Sequence, residues 1–210
     1  MNYENKPLLQ LISNIAEWLY RILTLNILVL ITSALVITFF PSIFAGFRLL
    51  DDYKNDIHKN VFKGYFAYLF DELPRRIIQG VLFLLVFLIG GTSIYFYVFV
   101  IEQNIIGLIG FAFVLLIVLL TVIIMLYAIL ISNVYPKTTI RTIISQALFL
   151  AGKFILRTIL LCIALVILFL MFLNITTIIL FMLSGVGLFL FLFVLVAQKP
   201  MDYIFNLSTK

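Results

Sequence analysis

Five stretches of this chain run for about twenty residues with almost no charge, and nothing else in it constrains the fold as tightly. Ile22 to Phe40, Ile77 to Val100, Ile105 to Ser132, Leu156 to Leu173 and Thr176 to Ala197 are continuous in aliphatic and aromatic residues. A helix needs about 20 such residues to cross a bilayer core about 30 Å thick. A membrane β-strand would alternate apolar and polar residues over about ten positions, and these runs do not alternate. With 65% hydrophobic and 11% charged residues, the chain lacks the polar side chains of a soluble globule, where about 25% of residues are charged. The expected fold is all-α: a polytopic helical membrane protein, one bundle of about five transmembrane helices over residues 1–210, with amphipathic helices at the cytoplasmic surface. The lipid bilayer is its first partner. A net charge of +5 then reflects lysines and arginines gathered on one membrane face rather than nucleic-acid binding.

The charge sits between the runs. Phe40 to Arg76 holds six of the fourteen basic residues, five of the nine acids and the only histidine, His58. The loop 133–155 and its edge add Lys137, Arg141, Lys153 and Arg157, and the tail adds Lys199 and Lys210. The short breaks at Glu102 to Asn104 and at Asn174 have no basic residue and force antiparallel neighbours. Cytoplasmic loops carry the lysine and arginine excess, so the long loops 41–76 and 133–155 and the C-terminus are expected inside. Five crossings put the N-terminus outside, with only Lys6 and Arg21 on the wrong face. A re-entrant hairpin over Leu8 to Phe40 would instead add a sixth segment. Leu8, Leu9, Ile12, Ile15, Ala16, Leu19 and Tyr20 recur at helical spacing, so the first helix is expected to start near Leu8. The run after them is too long for the core of a cleaved signal peptide.

Pro41 closes the first run, and Asp51 to Asp56 has the composition of a solvated connector. Val61 to Leu73 then reads as a helix with an aromatic stripe of Phe62, Tyr65, Phe66, Leu69, Phe70 and Leu73. Such a helix either rests on lipid or docks another protein, since aromatic residues are enriched at interfaces. In Thr139 to Phe154 a second stripe comprises Ile140, Ile143, Ile144, Ala147, Leu148, Ala151 and Phe154, flanked by Arg141 and Lys153. Basic residues beside an apolar stripe suit an interfacial helix on anionic headgroups. The alternative is that these residues are the first turns of the fourth span.

No catalytic, cofactor or metal set assembles. A metal site needs several His, Cys or carboxylate ligands, whereas His58 stands alone in a polar loop and Cys162 lies within an apolar run. The intramembrane serines and threonines have no base beside them. Intramembrane charge usually marks an ion path or proton relay, and only Arg157 touches a run. Gly185-Val186-Gly187 and Gly107-x-x-Gly110 lack the strand-to-helix setting of a phosphate loop, and Gly90-Gly91 suits a close helix contact or a kink. The expectation is a protein that is not an enzyme.

Several features recur together along the chain. Asn26 lies early in the first run, and Pro41 is followed by Ala45 and Phe47. The Phe- and Lys-rich segment Val61 to Phe66 leads to Gly80, and Tyr135-Pro136 and the stretch Thr138 to Leu148 precede the fourth run. In this combination the chain resembles the YesL family of bacterial integral membrane proteins, a domain of unknown function. Ser42, Ile43 and Phe44 depart from the small residues usual after that proline. The resemblance implies a bacterial cytoplasmic membrane and a gene neighbourhood of carbohydrate ABC importers and sensor kinases. It therefore implies an accessory or regulatory partner of an ABC transporter permease or a sensor kinase, with no catalytic residues. The alternative is a small permease for an uncharged or weakly polar solute, read by Asn26, Asn174 and tyrosines.

Overall fold

The computed structural model describes residues 7–55, 57, 59–99 and 105–208. Most of these are helical, with no strand among them, and five of the helices are long and apolar enough to cross a membrane. They form two compact units, Met1–Asp71 with Ile163–Leu195, and Glu72–Cys162 with Val196–Lys210.

The first unit is built on a helical hairpin. Helix α1 (Pro7–Ser33) turns through a short 3-10 segment (Val36–Thr38) into α2 (Phe39–Lys54), which packs back along it. The first apolar helix starts at Pro7, close to the Leu8 start that the spacing indicates, and ends at Ser33 rather than at Phe40. Phe39 and Phe40 belong to α2, and Pro41 sits in the first turn of α2, where a missing N–H removes no helical hydrogen bond. Helix α2 thus fills the first part of the segment 41–76, ahead of the helix that the sequence indicates from Val61. Phe40, Phe44, Phe47 and Leu50 recur on one face of α2 and are almost wholly buried. That row carries the helix through Asp51 to Lys54, so these residues are its last turn rather than a solvated connector, and Tyr53 within them is buried.

Hydroxyl groups satisfy the backbone of the α1–α2 turn. Thr38 Oγ1 donates to the carbonyls of Thr32 and of Leu35, the latter at 2.7 Å. Ser42 Oγ donates to the Thr38 carbonyl at 2.6 Å and Thr32 Oγ1 to that of Leu28 at 2.8 Å. Irregular backbone at membrane depth survives only where its polar groups find such partners.

Helix α3 (Val61–Phe70) packs on α2. Asn60 caps it, its Oδ1 accepting from the Lys63 N–H at 3.2 Å. The helix stops short of Leu73 because Asp71 is extended and Glu72 adopts φ 52°, in the left-handed region. Leu73 instead opens α4 (Leu73–Phe99).

The unit is completed by the C-terminal part of α7 (Ile155–Leu173), by α8 (Ile178–Leu180), by a π-helical turn (Phe181–Gly185) and by the start of α9 (Val186–Ser208). Asn174 closes the turn between α7 and α8, its Oδ1 accepting from the Thr176 N–H at 3.0 Å and from the Thr176 hydroxyl at 2.7 Å. Asn26, fully buried on α1, explains the π turn. Its Nδ2 donates to the Met182 carbonyl at 2.6 Å and its Oδ1 accepts from the Gly187 N–H at 3.0 Å. The two groups it bridges lie five residues apart, the spacing of a π-helical hydrogen bond. Gly187 allows the approach, since a Cβ there would stand 2.5 Å from the Ile22 carbonyl oxygen.

In the second unit α4 packs on α5 (Ile105–Val134), and α5 on α6 (Ile140–Lys153). Gly90 lies where α4 meets Val118 of α5, whereas a Cβ at Gly91 would meet nothing within 4 Å. The segment between α4 and α5, with Glu102 to Asn104, lies outside the described residues. In α9, Pro200 has no N–H to give the Val196 carbonyl one turn back. Arg157 Nη1 donates to that carbonyl instead. The charge that lies inside the fourth run thus serves as a backbone donor, while Glu17 and Arg21 also fall within the apolar helix α1. Most of the large apolar side chains on α4, α5 and α7 are exposed. In a chain with these helices they form the surface that meets lipid.

Candidate functional site

The stripe read in Val61 to Leu73 divides once the helix is seen. Tyr65 and Leu69, one turn apart, are 0% and 5% exposed, whereas Phe62, Phe66 and Phe70 are 50%, 39% and 64% exposed. Leu73 is half-buried and belongs to α4. The two rows follow from the helical repeat: positions four apart share a face, and adjacent rows point about a third of a turn away.

The inward row is firmly anchored. Thr32 Oγ1 gives its proton to the Leu28 carbonyl, so the Tyr65 hydroxyl donates to it across 2.5 Å. Burial is the first cause that pushes the Tyr65 phenol above its ordinary value, keeping it protonated for that bond. Gly64 faces Leu49 of α2. The outward row is partly self-stacked, with the rings of Phe66 and Phe70 6.3 Å apart and tilted by 20°.

Charged residues brace both ends of α3. Asp71 takes the Arg48 guanidinium at 2.5 Å, and Arg48 also lies 4.4 Å from the centre of the Tyr68 ring. Asp52 accepts from Lys59 at 2.7 Å and from the Tyr68 hydroxyl, while Lys59 also donates to Tyr68. The Lys59 ammonium is held above its ordinary value, first by the bond to Asp52 and then by that to Tyr68. A raised lysine supports the fold fully below its unfolded value and stops doing so as pH rises through the folded one. The brace is therefore intact at neutral pH and opens only in strong alkali.

Beside this brace Glu17, Tyr20, Arg21, Tyr53, Lys59 and Asn60 line a cavity of about 270 Å³. Arg21 is buried there, ion-paired with Glu17 and 4.3 Å from the centre of the Tyr53 ring. The sequence signalled none of these pairings except Glu17 with Arg21, whose spacing of four is visible. His58 lies outside the described residues. Among the described residues no three His, Cys, Asp or Glu side chains lie close enough to hold a metal ion.

In the second unit, α6 begins and ends where the stripe indicated. Thr139 caps it, its Oγ1 accepting from the Thr142 N–H at 3.4 Å, and the helix breaks at Phe154 (φ −111°, ψ 42°) before α7. It is thus a helix of its own rather than the first turns of the fourth span. Ala147 and Ala151 are buried with Ile143 and Leu150, whereas Ile140, Arg141, Ile144 and Leu148 are exposed. Lys153 lies 3.2 Å from the centre of the Tyr203 ring, and Arg75 donates to the Thr138 carbonyl just before α6. Missed entirely was Gln79 of α4, which is buried with its carboxamide oxygen unpaired.

Compared with models of protein families, with curated proteins and with solved structures, the chain matches none.

Proposed function

We propose that this chain is a non-catalytic accessory or regulatory partner of another membrane protein, docked through the outward row of α3. By its resemblance to the YesL family, that protein is the permease of a bacterial carbohydrate ABC importer or its sensor kinase, in the bacterial cytoplasmic membrane. The observation that carries docking is the division of α3. Tyr65 and Leu69 pin the helix, while Phe62, Phe66 and Phe70 stand outward in one line. Aromatic area held still in this way loses little freedom on binding, and full burial of each ring is worth about 1.5–3 kcal/mol.

Purification of the native protein from its own membranes in mild detergent is expected to recover the permease or kinase with it. Replacing Phe62, Phe66 and Phe70 together by alanine is expected to abolish that recovery. Expression and thermal stability should stay near wild type, because the three rings are already exposed. A stable triple mutant that still recovers the partner removes α3 as the docking face.

The N-terminus in this proposal is cytoplasmic, together with both polar segments and the C-terminus. What supports it is the α1–α2 hairpin. Glu17 and Arg21 share a cavity with Tyr53, Lys59 and Asn60, so the polar part of α1 and the end of α2 lie together, away from the turn at 34–38. That turn is uncharged, and hydroxyls meet its Leu35 and Thr38 carbonyls, as hydrocarbon surroundings favour. Five crossings leave two basic residues, Lys6 and Arg21, on the outer face, whereas a hairpin that returns brings all fourteen to one face. In a Cys162→Ser background, a cysteine at Asn2 or Asn55 is expected to resist an impermeant thiol reagent in intact cells, and one at Gln103 to react. Labelling of position 2 from outside would contradict the hairpin reading.

A further inference from the structure

Between α4, α5 and α6 lies a cavity of about 270 Å³, walled by Leu82, Phe83, Val86, Ile124, Ile143 and Ile144 among others. None of its lining residues is charged, and only Gln79 and Thr121 bear polar side chains. Thr121 gives its hydroxyl proton to its own helix, at the Ile117 carbonyl 2.8 Å away. Gln79 is 4% exposed, and its Oε1 has no hydrogen-bond partner. An apolar pocket, open at its rim where Leu82, Ile140 and Ile144 are exposed, thus has beside it one buried acceptor whose need is unmet.

We propose that this cavity binds a neutral amphiphile, an apolar chain bearing a single hydrogen-bond donor such as an alcohol. Each part of that class answers to a feature of the wall. A buried acceptor without a donor destabilises the site, and a hydroxyl head supplies the donor to Gln79. The terminal torsion of a glutamine is broad, so the carboxamide can turn its oxygen toward the cavity. A charged head would be buried without a counter-ion. Water alone is poorly served, because a buried water typically makes about three hydrogen bonds and the wall offers only Gln79 and the lone pairs of Thr121. The apolar remainder suits a hydrocarbon body. The volume lies just under the range of about 300–1,000 Å³ usual for small-molecule sites, which limits the body to a short chain. Binding here is independent of docking at α3.

The test uses the full chain in lipid nanodiscs and two photoactivatable diazirine probes of equal length, a medium-chain 1-alcohol and the corresponding alkane. The alcohol is expected to label peptides of α4, α5 and α6 about tenfold more strongly than the alkane, a difference of about 1.4 kcal/mol in binding. Unlabelled octanol should compete. Gln79→Leu should lower alcohol labelling to the alkane level without lowering the melting temperature. Should that variant fold poorly, Ile144→Trp fills the cavity from an exposed position of α6, and it should block alcohol labelling while the protein stays folded. Equal labelling by both probes in the wild type overturns the proposal, because bilayer chains then merely fill the space. So does alcohol labelling that persists in folded Gln79→Leu or Ile144→Trp.

Discussion

Gly187→Ala is expected to destabilise the first unit more than any other exchange of a single small residue for its nearest neighbour. The new methyl group would stand 2.5 Å from the Ile22 carbonyl oxygen and 3.1 Å from Asn26 Cβ, and the first of these is backbone that cannot rotate away. Helices α1 and α9 must move apart. Overpacking costs about 1–3 kcal/mol where side chains can adjust, and here they cannot. Separation also pulls Asn26 from Met182 and Gly187, leaving a carbonyl and an N–H unpaired at about 1–3 kcal/mol each when buried. Thermal unfolding in detergent should therefore shift down by about 6–12 °C even at the low end of these costs. Asn26→Leu should reproduce much of that loss, and the double mutant should fall well short of the sum, because the two changes break one contact. A melting temperature within a degree of wild type for Gly187→Ala would show that α1 and α9 do not meet there.

The second large effect is a coupling between Arg157 and Pro200. Arg157→Met leaves the Val196 carbonyl without a donor, since Pro200 supplies none. The expected cost is about 2 kcal/mol, in the range for a hydrogen bond with one charged partner. In a Pro200→Ala background the alanine N–H reaches Val196 as in any α-helix, and the same Arg157→Met change should cost less than about 1 kcal/mol. Equilibrium unfolding of the four proteins in the cycle gives the coupling directly. Additive effects would mean that Arg157 acts only as a surface charge.

These contacts show where the sequence stops being informative. The membrane class, most of the apolar helices and the extent of α6 were legible because each rests on local pattern: hydropathy, and a 3.6-period stripe with Arg141 and Lys153 beside it. Helix α2 is hard to see in the sequence because Arg48, Asp51, Asp52 and Lys54 interrupt its hydropathy, although the row Phe40, Phe44, Phe47 and Leu50 keeps a helical period. The left-handed Glu72 could not be foreseen, since glutamate has no preference for that conformation. Asn26 and Gly187 lie 161 residues apart, and no local pattern joins them. Nothing in the local pattern singles out Gln79, a lone polar residue near the start of a span. Only the packing of α4, α5 and α6 shows that it is sealed from lipid yet unpaired.

Docking through the outward face of α3 is tested most directly by a photo-crosslinking amino acid placed at Phe66 in cells that make the native partner. Its neighbour on the inward row, Tyr65, supplies the control, being 0% exposed against 39% for Phe66. The expected result is a crosslinked band from position 66 that contains an ABC permease or a sensor kinase, with only intramolecular products from position 65. Crosslinks from position 66 to lipid alone, in cells where the partner is present, would contradict a docking role for this helix.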